Sequence, residues 1–145
     1  MGGFTTSIVI DRPVEEVAAF LSDLLNDPRW RREWVGARPA SDQGSGVGTR
    51  TLLIGQFLGR RTEVVYEVSR SEAARLTEWE TVSGPLPLTF RREFEPAERG
   101  GATLVTFTYE AHPNAVLRLL EPFVVSLGRR QLDGDVPSLR AILEA

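Results

Sequence analysis

"IDRPVEEVAAFLSDLLNDPRWRREW", residues 10 to 34, passes from a strand into helical spacing and then into tryptophans set among charges, and its reading decides the fold. The preceding "FTTSIVI" reads as a first strand. Pro13 near the start and Glu15 and Glu16 in the first turn then mark a helix beginning, because carboxylates suit the positive end of a helix. Val14, Val17, Phe20, Leu21, Leu24 and Leu25 recur at helical spacing, which makes one amphipathic helix. Asp27 reads as the N-cap of a second, short helix with Pro28 at its first position. That helix is expected to carry Trp30 and Trp34 on one face, four residues apart. The expectation is that at least one of the two packs inward as part of a lid while Arg31, Arg32 and Glu33 stay in water.

Outward from this stretch, Val35 to Ala111 changes to strands broken at "SDQGSGVG", "GRR", "SRSEAAR", "SGPLP" and "EPAERGG", which fits roughly six antiparallel strands. From about Pro113 to Ala145 helical spacing returns, with Val116, Leu120, Phe123, Leu127, Leu132, Val136, Leu139 and Leu143 near one stripe. Pro122 and Pro137 each remove a backbone donor and are expected to kink or break that helix. The fold class is α+β, in the order β-α-α-β6-α: a curved antiparallel sheet of about seven strands wrapped around a long C-terminal helix, with a space left between them.

The chain has 145 residues, a length that predicts one domain over 1–145. With no cysteine there is no disulfide, thiolate metal site or thiol nucleophile, and a lone His112 rules out a multi-histidine metal site. All 17 basic residues are arginine against 20 acids, and the pairs Arg31-Arg32, Arg60-Arg61, Arg91-Arg92 and Arg129-Arg130 are dispersed, so nucleic acid is not expected as a partner. No apolar run is long enough for stable membrane insertion, and the N-terminus lacks the regions of a signal peptide, which predicts a cytoplasmic protein. "MGGFTT" formally fits a myristoylation pattern, but Phe4 to Ile10 reads as a strand. No metal and no cofactor are expected, and neither a monomer nor a homodimer is favoured.

Residues two apart on a strand share a face. One face collects Val64, Tyr66, Val68, then Thr77, Trp79, Thr81, then Phe90, Arg92, Phe94, then Val105, Phe107, Tyr109. The other collects Glu63, Glu67, Glu78, Glu80, Arg91, Glu93, Thr106, Thr108 and Glu110, and is expected to face water. By this parity the Glu78 and Glu80 pair belongs to solvent rather than to an acid/base dyad. His112 continues the outward parity of Glu110 and reads as a junction residue rather than a general base. Arg92 is the exception on the inner face: it must pair with an acid, escape at a rim, or meet an anionic or carbonyl group of a ligand. The candidate ligand-binding residues are the aromatic side chains Trp30, Trp34, Tyr66, Trp79, Phe90, Phe107 and Tyr109 together with Arg92, joined from the last helix by Phe123 and Leu127.

"IDRPVEEVAAFLSD" followed by a tryptophan-bearing short helix, "GVGTR" opening the third strand, "FEPAERGGATLVTFTYE" and the terminal "LRAILEA" together resemble the START-like SRPBCC superfamily, most closely its polyketide cyclase/dehydrase branch. The resemblance spans nearly the whole chain. It implies the helix-grip fold and a deep apolar cavity for a hydrophobic small molecule that is polyketide-, lipid- or aromatic-like, held by a carrier or sequestering protein. It also leaves open a polyketide cyclase/aromatase or dehydratase, with Arg92, Tyr66 or Tyr109 as polarising donors, and a protein-interaction domain with a filled core. No assembled catalytic motif decides among them, and ligand and pathway are not encoded in a readable form.

Overall fold

The structure is a computed structural model that describes residues 2–42, 45–57, 59–112 and 121–145. Strand β1 (Gly3–Ile10) leads into helix α1 (Val14–Leu21) and a 3₁₀ helix (Leu24–Arg29). Six strands follow: β2 (Trp34–Pro39), β3 (Arg50–Phe57), β4 (Arg60–Glu72), β5 (Leu76–Ser83), β6 (Leu88–Pro96) and β7 (Thr103–Ala111), and then helix α2 (Glu121–Leu143). The seven strands form one curved antiparallel sheet in the order β1-β7-β6-β5-β4-β3-β2. Neighbouring hairpins build β2 to β7, and β1 returns to lie against β7 with Phe4 opposite Tyr109.

The inner face follows the parity of the sequence. Val64, Tyr66, Val68, Thr77, Trp79, Phe90, Arg92, Phe94, Val105 and Phe107 are all buried. On the outer face Glu78 meets Arg91 at 3.4 Å and Arg91 meets Glu93 at 3.1 Å, partly exposed pairs of modest energetic weight. Among the described residues, two apolar clusters occupy the interior. One gathers Ile10, Val17, Leu21, Trp30, Phe94, Val105, Phe107, Leu132 and Leu139. The other gathers Leu24, Leu53, Val64, Tyr66, Val68, Trp79 and Phe90.

The second helix is not the one expected. Asp23, not Asp27, caps it, accepting from the Leu25 N–H at 3.0 Å, and its 3₁₀ turns end at Arg29. Trp30 follows it and is buried in the first cluster, whereas Trp34 opens β2, so the two tryptophans do not share a helical face. The cause is Asp27: its carboxylate turns inward onto Arg92 instead of toward the helix backbone. Arg92 Nη1 and Nη2 donate to the two Asp27 oxygens at 2.9 and 2.8 Å, and Nη1 also donates to the Leu21 carbonyl at 3.0 Å, one of the carbonyls left over at the end of α1.

Helix α2 runs as one helix through Pro137 rather than breaking there. A single missing N–H on an exposed side is outweighed by Leu132, Val136 and Leu139, which anchor both flanking turns in the core. Pro122 stands at the start of the described part of the helix, and the residues before it, 113–120, lie outside the described residues. Val116 and Leu120 lie outside the described residues. The far end of α2 is held by Arg12, which donates to the carbonyls of Leu143 and Ala145 at 2.6 Å each. Among the described residues no helix is long and apolar enough to cross a membrane.

Two consequences follow for stability. Asp27→Ala leaves a buried guanidinium without its counter-charge and should cost about 3–5 kcal/mol in urea denaturation, whereas Asp27→Leu combined with Arg92→Met should recover most of that loss. Gly55 on β3 lies under Trp34: a Cβ there would come within 2.8 Å of the indole ring and 3.0 Å of the Glu33 carbonyl. Gly55→Ala should therefore push Trp34 out of place, lowering stability by about 1–3 kcal/mol and shifting tryptophan emission.

Candidate functional site

Between the inner face of the sheet and α2 lies a cavity of about 480 Å³, within the range of small-molecule sites. Its apolar wall is a run of rings that begins with Trp34 against Tyr66, edge-on at 6.4 Å. Tyr66 meets Phe90 edge-on at 4.9 Å, Phe90 stacks on Tyr109 at 5.4 Å, and Tyr109 stacks on Phe4 at 5.0 Å. Each is an alternate residue of its strand, so the period of the sheet delivers them to one side. Leu53, Val64 and Leu88 fill between them, and Val124 and Leu127 close the space from α2.

One end of the cavity is polar, lined by Asp27, Arg31, Glu33, Arg92 and Tyr109. Arg31 is 5% exposed and works as a hub. Its Nη1 donates to the Tyr109 hydroxyl at 3.1 Å and its Nη2 to Glu33 Oε1 at 2.7 Å, while Nε lies 3.2 Å from Asp135 Oδ2 on α2. Arg32 donates to the other Asp135 oxygen at 3.0 Å from the surface. Burial opposes the charge on Arg31, but Tyr109, Glu33, Asp27 and Asp135 more than offset it, so its pKa is raised and it remains a cation. Burial likewise pushes Glu33 up; Arg31 pulls it down, Asp135 and Asp27 push it up again, and the net is a carboxyl group above its ordinary value of 4.5. Burial first, and then Glu33, raises Tyr66, which stays a neutral phenol.

Of the residues singled out in the sequence, Trp34, Tyr66, Phe90, Tyr109 and Leu127 line this cavity. Arg92 reaches its floor, but it is 1% exposed and its guanidinium is committed to Asp27 and Leu21, neither at the rim nor turned outward. Phe123 stands at the edge, 67% exposed. Trp30 and Phe107 pack against each other in the core, ring centres 6.0 Å apart, away from the cavity wall. Trp79 lies behind Phe90, stacked at 4.9 Å, and faces a second, smaller cavity of about 290 Å³ lined by hydroxyls such as Ser22, Thr51 and Thr77. His112 is exposed at the end of β7, its Nε2 2.9 Å from the Thr89 hydroxyl. Among the described residues no group of three or more His, Cys, Asp or Glu side chains is placed to hold a metal ion.

Sequence reasoning missed Asp27, Arg31 and Glu33 as residues of the cavity's polar end, and Asp135 as the carboxylate that supports Arg31. Asp135 carried a signal: it sits three residues after Leu132 and next to Val136, an acid on the apolar stripe of α2. Arg31 and Glu33 carried none, because their placement comes from the turn between the 3₁₀ helix and β2 rather than from any periodicity.

By structure the chain is similar to a START superfamily protein from Mycobacterium smegmatis, with a TM-score of 0.80 at 15% identity, covering 99% of this chain and 98% of that one. It is also similar to XoxI from Bacillus cereus, with a TM-score of 0.78 at 14% identity over 99% and 96% of the two chains. A third similar structure is the Zhui aromatase/cyclase from a Streptomyces species, with a TM-score of 0.79 at 11% identity over 98% and 93%. At such identities these likenesses show the fold, the helix-grip fold of the START and SRPBCC proteins. No curated protein matches the chain in sequence. The family model described as polyketide cyclase / dehydrase and lipid transport matches residues 1–144, and the chain belongs to that family.

Proposed function

We propose that residues 1–145 act as one ligand-binding domain that holds a hydrophobic small molecule, polyketide-, lipid- or aromatic-like, between the sheet and α2, as a cytoplasmic carrier or sequestering protein. The observation that carries this reading is the cavity itself: about 480 Å³ walled largely by aromatic rings and aliphatic side chains, with its charged groups Asp27, Arg31, Glu33 and Arg92 clustered beside Tyr109. A protein-interaction domain with a filled core has no need of such a space. Nothing in the reading calls for a cofactor.

A second reading, a cyclase or aromatase, is favoured by one hydrogen bond. A guanidinium only donates, so the Tyr109 oxygen accepts from Arg31 and its own proton is left for another acceptor. No described residue takes that proton. A phenol polarised by a cation in this way is suited to stabilise negative charge developing on a ligand carbonyl.

Native mass spectrometry of the protein purified from its source host should show a co-purifying apolar ligand. Saturation with that ligand should change tryptophan emission, the change being lost in Trp34→Phe and kept in Trp79→Phe; an unchanged response in Trp34→Phe would place the ligand elsewhere. Tyr109→Phe separates the two readings: a carrier should lose affinity by about tenfold, the loss of one good hydrogen bond, whereas a cyclase should lose kcat by more than it changes KM.

A further inference from the structure

We propose that Glu33 sets the charge of the ligand's polar end: as a carboxylate resting on Arg31 it bars anionic headgroups and admits uncharged hydroxyl or carbonyl groups, which meet the Tyr109 hydroxyl instead. The inference rests on the reading of the cavity as a binding site.

An anionic headgroup in an apolar cavity needs a guanidinium. Both arginines at this end are engaged. Arg92 is covered by the two oxygens of Asp27, and the Nη atoms of Arg31 are taken by Tyr109 and Glu33. Asp27 cannot yield without abandoning the core, since Arg92 lies within 5.4 to 5.9 Å of the ring centres of Trp30, Trp79, Phe90 and Phe107. Glu33 can yield, for its side chain is 26% exposed, lines the cavity and has no other hydrogen-bond donor among the described residues.

The charged and titratable groups facing Glu33 come from every element around it: Asp27 from the 3₁₀ helix, Arg31 and Arg32 from the turn after it, Tyr66 from β4, Arg92 from β6, Tyr109 from β7 and Asp135 from α2. Three arginines stand against Asp27, Glu33 and Asp135, so the end is neutral while Glu33 is ionised. Placing a carboxylate there without a proton makes it net negative in a low-dielectric space. An acid ligand must therefore enter with one proton, taken up by Glu33 as it leaves Arg31. Burial and the neighbouring carboxylates already raise Glu33 above 4.5, so it takes up that proton more readily than an exposed glutamate.

The test is calorimetric titration of the full chain with 1-decanol and with decanoate, in buffers of different ionisation enthalpy, between about pH 6.5 and 8.5. Decanol affinity should be flat across this range, with no proton exchanged. Decanoate should bind with uptake of one proton and weaken about tenfold per pH unit above the pKa of Glu33. Glu33→Gln should shift the decanoate-to-decanol affinity ratio at the upper pH by about tenfold or more toward the acid and abolish the proton uptake. Decanoate binding to the wild-type chain without a proton overturns the proposal whatever the variant does. Uptake that persists in Glu33→Gln also overturns it, because the proton then sits on the ligand. Binding of neither probe overturns the cavity reading and this inference together; binding of decanol and decanoate with equal, pH-independent affinity overturns this inference alone.

Discussion

The pair between Arg92 and Asp27 is the constraint around which the rest is arranged. A guanidinium 1% exposed among four aromatic rings carries a desolvation cost that only a matched carboxylate and further acceptors offset. Asp27 supplies both of its oxygens, and the last turn of α1 supplies the Leu21 carbonyl. Asp27, raising Arg92 against the effect of burial, keeps it charged. One side chain on β6 therefore ties together the sheet, the end of α1 and the 3₁₀ helix. It also sits where the two apolar clusters meet, with Trp30 of one and Trp79 of the other each 5.4 Å from its guanidinium carbon.

With Asp27 drawn inward, the chain turns immediately afterwards, and that turn brings Arg31 and Glu33 to the cavity. Arg31 is brought beneath Tyr109, Glu33 is set on Arg31, and Trp34 begins β2 with its ring across Gly55, where no Cβ obstructs it. The two buried arginines then differ in kind. Arg92 is given over to structure, both of its Nη atoms held by Asp27 and one also by the Leu21 carbonyl. Arg31 is held by a partly exposed glutamate, a tyrosine and Asp135, two of which face the cavity, so any chemistry or selectivity at this end passes through the Arg31 cluster.

Much of the fold was legible because strands and helices impose short periods. Parity placed Val64, Tyr66, Val68, Trp79, Phe90 and Phe107 on the buried face, and put Glu78 and Glu80 in contact with solvent, without knowledge of any partner. Parity could not say which buried ring faces a cavity and which faces another ring. Trp79 and Phe90 share a face and a stack, yet Phe90 lines the larger cavity and Trp79 the smaller. Arg92 was legible as an anomaly and its pairing with an acid as one of three outcomes, but its partner stood 65 residues away under the guise of a helix cap. Asp-Pro is a good local signal for such a cap, and a buried cation outbid it.

Alternation along the strands, helical spacing in two segments and turn residues between them were enough to determine an α+β chain with a seven-stranded antiparallel sheet and a long covering helix. These are local properties, dictated by which side chains a repeating backbone can hide from water. Only the tertiary structure decided that Trp30 is core and Trp34 is wall, that Arg92 belongs to Asp27, and that Arg31, Glu33, Tyr109 and Asp135 meet at one end of the cavity. Those outcomes depend on charges far apart in sequence finding one another where water is excluded, and an unpaired charge there costs more than the local preferences of a helix cap or an exposed turn can repay.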